Sequence, residues 1–168
     1  MATVNPTLIA SQVVGSGGAA SVTFSSIPNT YTDLLISLST RNDTSSSNTM
    51  YIALNGSTSS FTFKQLFGDG GAAHSGSGST NEIGVSNSAA YTASTFSNTS
   101  IYIPNYTSSN YKSISVDTVV ENNATTSYAL FYASLWSNTA AVTSVSFTLT
   151  SGNFAQYSTA YLYGIKNS

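Results

Sequence analysis

The chain has 168 residues, is 40% hydrophobic and only 6% charged, and carries a net charge of −2, where ordinary domains are about a quarter charged. Four cations cannot neutralise the row of phosphates that a nucleic-acid groove needs. The absence of cysteine excludes disulfides and thiolate metal sites. Ser, Thr and Asn make up two fifths of the chain, yet 11 Tyr and 8 Phe supply the apolar area that disordered polar chains lack.

The length suits one domain over residues 1–168. Its opening, Met1-Ala2-Thr3-Val4-Asn5-Pro6, has neither a basic stretch nor a long apolar run, so no secretory signal is expected and synthesis is expected in a cytoplasm. The apolar runs are too short for a membrane helix. From there, alternation with a period of two dominates. Strands are expected at Thr7 to Val14, Ala20 to Ser25, Asp33 to Arg41, Thr49 to Asn55 and Ser60 to Phe67. Others follow at Thr99 to Tyr106, Lys112 to Glu121, Ser127 to Trp136, Val142 to Thr150 and Thr159 to Lys166. Turn formers separate them, such as Pro28-Asn29, Asn55-Gly56 and Gly152-Asn153. Regular short strands between such turns predict an all-β, antiparallel sandwich of jelly-roll type. Phe24, Leu34, Ile36, Ile52, Phe63, Ile114, Val116, Leu130, Phe147 and Leu162 are its expected core. Two stretches break the pattern. Gly68 to Ser79 reads as a long polar loop, and Asn87 to Asn98 as a loop or short helix. Strand edges are normally guarded by charge. With so few charges here, the edges are expected to be covered by other subunits or a neighbouring protein.

Residues with chemical potential are few. His74 is the single histidine, so a Ser-His-Asp triad would have to use it, with Asp69 or another carboxylate as orienter. No Gly-x-Ser-x-Gly elbow accompanies it. Among the carboxylates, Asp117 and Glu121 share a face but lie roughly 13 Å apart along a strand, too far to work as a glycosidase pair. Asp33, at the start of the strand that Arg41 ends, reads as an edge guard, and Asp69 with backbone oxygens and Glu82 as the one conceivable calcium site. The Gly-rich stretches open no helix and precede no Lys-Ser/Thr pair, so they read as loops, not phosphate cradles. No catalytic, cofactor-binding or metal-ligating residue is assigned. The aromatics are the remaining candidates, because a ring brings area and its polar tip hydrogen-bonds. Tyr102, Tyr106, Tyr111, Tyr128, Tyr132, Tyr157, Tyr161 and Tyr163 crowd the C-terminal half with Trp136. Most of these rings can equally line the core or stack across strands, and Tyr102, Tyr106, Tyr111, Trp136 and Tyr157 are the interface candidates.

Several runs together resemble a group of β-rich virion proteins of tailed bacteriophages. They are Leu8-Ile9-Ala10-Ser11-Gln12-Val13-Val14-Gly15, Ala20-Ser21-Val22-Thr23-Phe24-Ser25-Ser26-Ile27-Pro28 and Tyr31-Thr32-Asp33-Leu34, followed by Ile101-Tyr102-Ile103-Pro104-Asn105-Tyr106, Gly152-Asn153-Phe154 and Tyr161-Leu162-Tyr163-Gly164-Ile165. Members of that group are small head-associated proteins or modules of tail and fibre proteins. The resemblance implies a non-enzymatic structural protein of the virion without cofactor, nucleic-acid or membrane partner. The short, stemless chain favours a capsid decoration (cement) protein. It would sit on the outer head surface as a homotrimer and stabilise contacts between major capsid protein subunits. The alternative is a tail-fibre or receptor-binding module that grips bacterial-surface glycan.

Overall fold

A computed structural model describes residues 5–123 and 127–166. The stretch over 1–4, on which the absence of a secretory signal was argued, lies outside them. Twelve strands follow one another: β1 (Thr7–Val13), β2 (Ser21–Phe24), β3 (Asp33–Thr40), β4 (Asn48–Leu54), β5 (Phe61–Gly68), β6 (Ala73–Gly78), β7 (Glu82–Ser86), β8 (Ser97–Ile103), β9 (Lys112–Val120), β10 (Tyr128–Trp136), β11 (Val145–Leu149) and β12 (Thr159–Ile165). Among the described residues there is no helix, and so none long and apolar enough to cross a membrane.

The strands form two antiparallel sheets. One has eight strands in the order β1-β12-β3-β8-β9-β10-β5-β6, and the other four in the order β2-β11-β4-β7. This is jelly-roll order. In an eight-stranded jelly roll the first strand shares a sheet with the eighth, third and sixth, as β2 does here with β11, β4 and β7. The second shares the facing sheet with the seventh, fourth and fifth. Here β3, β5 and β6 take three of those places, and the meander β8-β9-β10 stands where a single seventh strand would. Three strands deliver the chain to the same end as one, so the crossover to β11 is kept. The strands β12 and β1 extend the sheet beyond β3.

Alternation decides which side chains meet between the sheets. In β3 the inward residues are Leu34, Ile36 and Leu38, and in β9 they are Ile114, Val116 and Val120. They face two cross-strand rows of the small sheet, Phe24-Val145-Leu54 and Val22-Phe147-Ile52. All ten expected core residues are buried. Hydroxyls also enter the interior, several of them paired, while Ser134 Oγ is buried without a hydrogen-bond partner. Thr40 Oγ1 lies 2.7 Å from Ser97 Oγ, and Thr99 Oγ1 lies 3.0 Å from Thr118 Oγ1. Thr118 also donates across to Ile83 O in the small sheet, at 3.2 Å.

Three expectations need correction. The stretch Gly68 to Ser79 is not a long loop: Ala73–Gly78 is β6, paired with β5 over six residues after a turn at Asp69–Ala72. Its Ser/Gly alternation carries no apolar signal, because neither face of this edge strand is buried. A further strand, β7, was not expected. It pairs with β4 across a bulge, and Gly84 there has φ +134°, a conformation that favours glycine at such an irregularity. Asp33 is not an edge guard. It is buried, accepts from Tyr102 Oη at 2.7 Å and from the Asn105 amide at 2.8 Å, and has no contact with Arg41. The guanidinium of Arg41 donates to the carbonyls of Ala89, Tyr91, Thr92 and Thr95. It thereby shapes the loop that the sequence left undefined.

Candidate interface surface

The outer face of the eight-stranded sheet spans all eight strands, and the strand register lays it out in rows. The central row runs Ser75, Leu66, Phe131, Asp117, Ser100, Ser37, Tyr161, Ser11. A neighbouring row runs Ser77, Lys64, Ala133, Ser115, Tyr102, Leu35, Tyr163, Leu8. On the other side lie Gly68, Ala129, Val119, Asn98, Ser39, Thr159 and Val13. The face therefore has three zones. Over β5, β10 and β9 it is apolar, with Leu66 63%, Phe131 51% and Val119 41% exposed. Leu66, Phe131 and Ala129 border a depression of about 400 Å³, with Asp117 and the β5–β6 hairpin at its rim. Across the middle it is a strip of Ser and Asn. Over β8, β3, β12 and β1 it is aromatic and aliphatic, and Tyr161 and Tyr163 stack with centroids 6.4 Å apart.

The expected interface residues divide between surface and core. Tyr102 is on the outer face, half-buried. The bond to the Asp33 carboxylate, with burial second, holds its hydroxyl above the usual phenol range. Tyr111 and Tyr157 are 57% and 67% exposed, and Tyr157 adopts a left-handed φ of 71°. Tyr106 and Trp136 are core residues and offer no area to a partner. The Tyr106 hydroxyl donates to Pro28 O, and burial raises its pKa. Trp136 stacks on Phe61 at 6.1 Å. The inward register of β10 places Trp136 with Leu130, Tyr132 and Ser134. The outer face also carries Leu66, Val119 and Phe131, which were not among the candidates, and Tyr161 and Tyr163, which stood among the C-terminal aromatics. A signal for Phe131 was present, because Ala129-Leu130-Phe131-Tyr132-Ala133 is an unbroken apolar run, which in a strand means that both faces are apolar.

The charged groups are largely engaged. His74 Nε2 pairs with Asp69 Oδ2 at 3.1 Å, and its ring stacks on Phe67 at 4.7 Å. Asp69 also accepts from the amides of Ala72 (2.8 Å) and Gly71 (2.9 Å), and these bonds bring its pKa down to about 2. Glu82 accepts from Tyr132 Oη at 2.9 Å, bridging the two sheets, so it and Asp69 serve separate structural bonds. Burial, ahead of the Glu82 charge, pushes the Tyr132 hydroxyl upward. Asp43 binds Asn153, and Glu121 binds the Asn123 amide and Ser127. Lys112 is buried, donates to Ser108 O (2.8 Å) and Asn110 O, and is shifted down by desolvation. Among the described residues, no group of three or more His, Cys, Asp or Glu could hold a metal ion. On the outer face, Lys64 and Asp117 carry the charges that no other side chain engages.

No sequence model of a known protein family matches the chain, and no curated protein matches it in sequence.

Proposed function

We propose that the protein is a non-enzymatic structural component of a tailed-phage virion. In this reading it decorates the outer surface of the head and ties neighbouring major capsid protein subunits together. One observation carries the reading: a broad, hydroxyl-rich sheet face on a jelly roll, with its aromatic zone at Tyr102, Tyr161 and Tyr163 open to contact. The carboxylates other than Asp117 are tied into turns and sheet bridges. Such a face suits adhesion through area and neutral hydrogen bonds, and many copies on a lattice multiply a modest contact. The test counts copies per virion and mixes the protein with undecorated heads. Occupancy that follows the capsid lattice, lost in a Tyr161→Ser, Tyr163→Ser double variant, supports the reading. Occupancy limited to tail positions overturns it.

The stacked Tyr161–Tyr163 pair favours a second reading, a tail-fibre module whose rings receive bacterial-surface glycan. Tail-only occupancy together with saturable binding of host polysaccharide would establish that alternative.

A further inference from the structure

Beyond any capsid partner, the apolar zone over β5, β10 and β9 fits a specific occupant. Lys64 stands on β5, one row from Leu66, and Asp117 stands on β9, directly beside Phe131. The two charges are separated by about 10 Å across the strands and about 7 Å along them, given ordinary strand spacings. Each therefore lacks its complement within the chain: among the described residues neither makes a salt bridge or side-chain hydrogen bond. The remaining lysine and arginine positions are distant or engaged. Arg41 holds the loop after Ser88, Lys112 is buried under Ser108 and Asn110, and Lys166 follows β12 at the far side of the sheet.

From this we infer that the zone is a self-association surface, covered by a second copy of the chain turned over onto it about a two-fold axis. The register fixes where the axis lies. The midpoint between Lys64 and Asp117 falls on β10 between Phe131 and Ala133. A two-fold axis lying in the face through that point, perpendicular to the line joining the two charges, brings Lys64 of each copy to Asp117 of the other. The same rotation lays Phe131 over Leu66 of the second copy, closing the 400 Å³ depression from both sides. It also sets Ala129 and Val119 against β6, whose Ser75, Gly76, Ser77 and Gly78 present no bulk to hold the sheets apart. An isologous contact of this kind closes on itself. It gives a dimer, where the resemblance led to an expected trimer. It leaves the tyrosine zone of both copies free.

Sedimentation equilibrium of the full chain tests the inference. The expected mass is twice 17.5 kDa. Phe131→Ser should give monomers. Lys64→Asp and Asp117→Lys should each weaken association by at least about tenfold, because like charges then face each other, and the double reversal should restore it. Circular dichroism melts of all variants verify folding. If a reversed chain does not fold, the neutral Lys64→Gln, Asp117→Asn pair replaces it, and its dimer should lose the salt dependence of the parent. A monomer at every concentration, a trimer, a dimer indifferent to both charges, or a double reversal as weak as the singles would each overturn the proposal. Head occupancy is measured separately, so failure here leaves the decoration reading standing.

Discussion

At Gly84 the backbone and the packing make the same demand. Its φ of +134° suits glycine, and a Cβ there would lie 2.4 Å from Thr118 Oγ1, which is itself fixed by bonds to Ile83 O and Thr99. Gly56, at φ +74°, has nothing within 4 Å of its missing Cβ. Alanine at Gly56 should therefore cost about 1 kcal/mol from strain alone. At Gly84 strain and overpacking add to on the order of 3 kcal/mol. Thermal melts of the two variants side by side check the order, and equal losses would show that Thr118 yields. Phe147 poses the opposite problem. It is fully buried between Val22 and Ile52, so Phe147→Ala leaves a cavity and should cost about 3–5 kcal/mol, read from denaturant unfolding.

At the scale of the element, β6 is an edge strand without a buried face of its own, and the turn that joins it to β5 depends on one carboxylate. Asp69 accepts from Ala72 and Gly71 and pairs with His74, which together depress its pKa to about 2 from an ordinary 3.8. A depressed acid stabilises the fold fully above its unfolded pKa, and the contribution disappears as pH falls through the folded one. The turn should therefore hold at pH 5 and loosen as pH falls from about 4 to about 2. Hydrogen exchange at the Gly71 and Ala72 amides reads this directly, and Asp69→Asn should abolish the pH dependence. The hairpin also marks the limit of what sequence showed. Strands with one buried face, such as β3, β4, β8 and β9, were legible because burial imposes alternation on composition. Ala73–Gly78 is held by backbone pairing with β5, and pairing leaves no trace in side-chain type. Which aromatics reach the surface was only half legible for a related reason. Tyr106 and Trp136 were interface candidates by their polar tips, beside the alternative that such rings line the core, and they do line it. Which face an aromatic ring takes is set by register, and register is visible only once the strands are paired.

For the whole molecule, the distribution of charge predicts how attachment should respond to solvent. The tyrosine zone, Tyr102, Leu35, Tyr163, Leu8 and Tyr161, contains no free charge, since Asp33 beside it is buried and bonded to Tyr102 and Asn105. A contact made there rests on apolar burial and neutral hydrogen bonds. Salt screens exposed charges, with a Debye length near 10 Å at 0.1 M and about 3 Å at 1 M. It leaves neutral contacts in place, and moderate salt can strengthen apolar burial. Guanidinium acts in the other direction by solvating apolar and peptide groups. If the protein decorates a phage head as proposed, virions washed in about 1 M sodium chloride should therefore keep it, even where the Lys64–Asp117 contact between copies is screened. Mild guanidinium should strip it before the shell opens. Sedimentation of treated particles, with gels of pellet and supernatant, separates the outcomes. Release by salt alone would contradict a neutral docking face and move the attachment to the charged β5–β10–β9 zone.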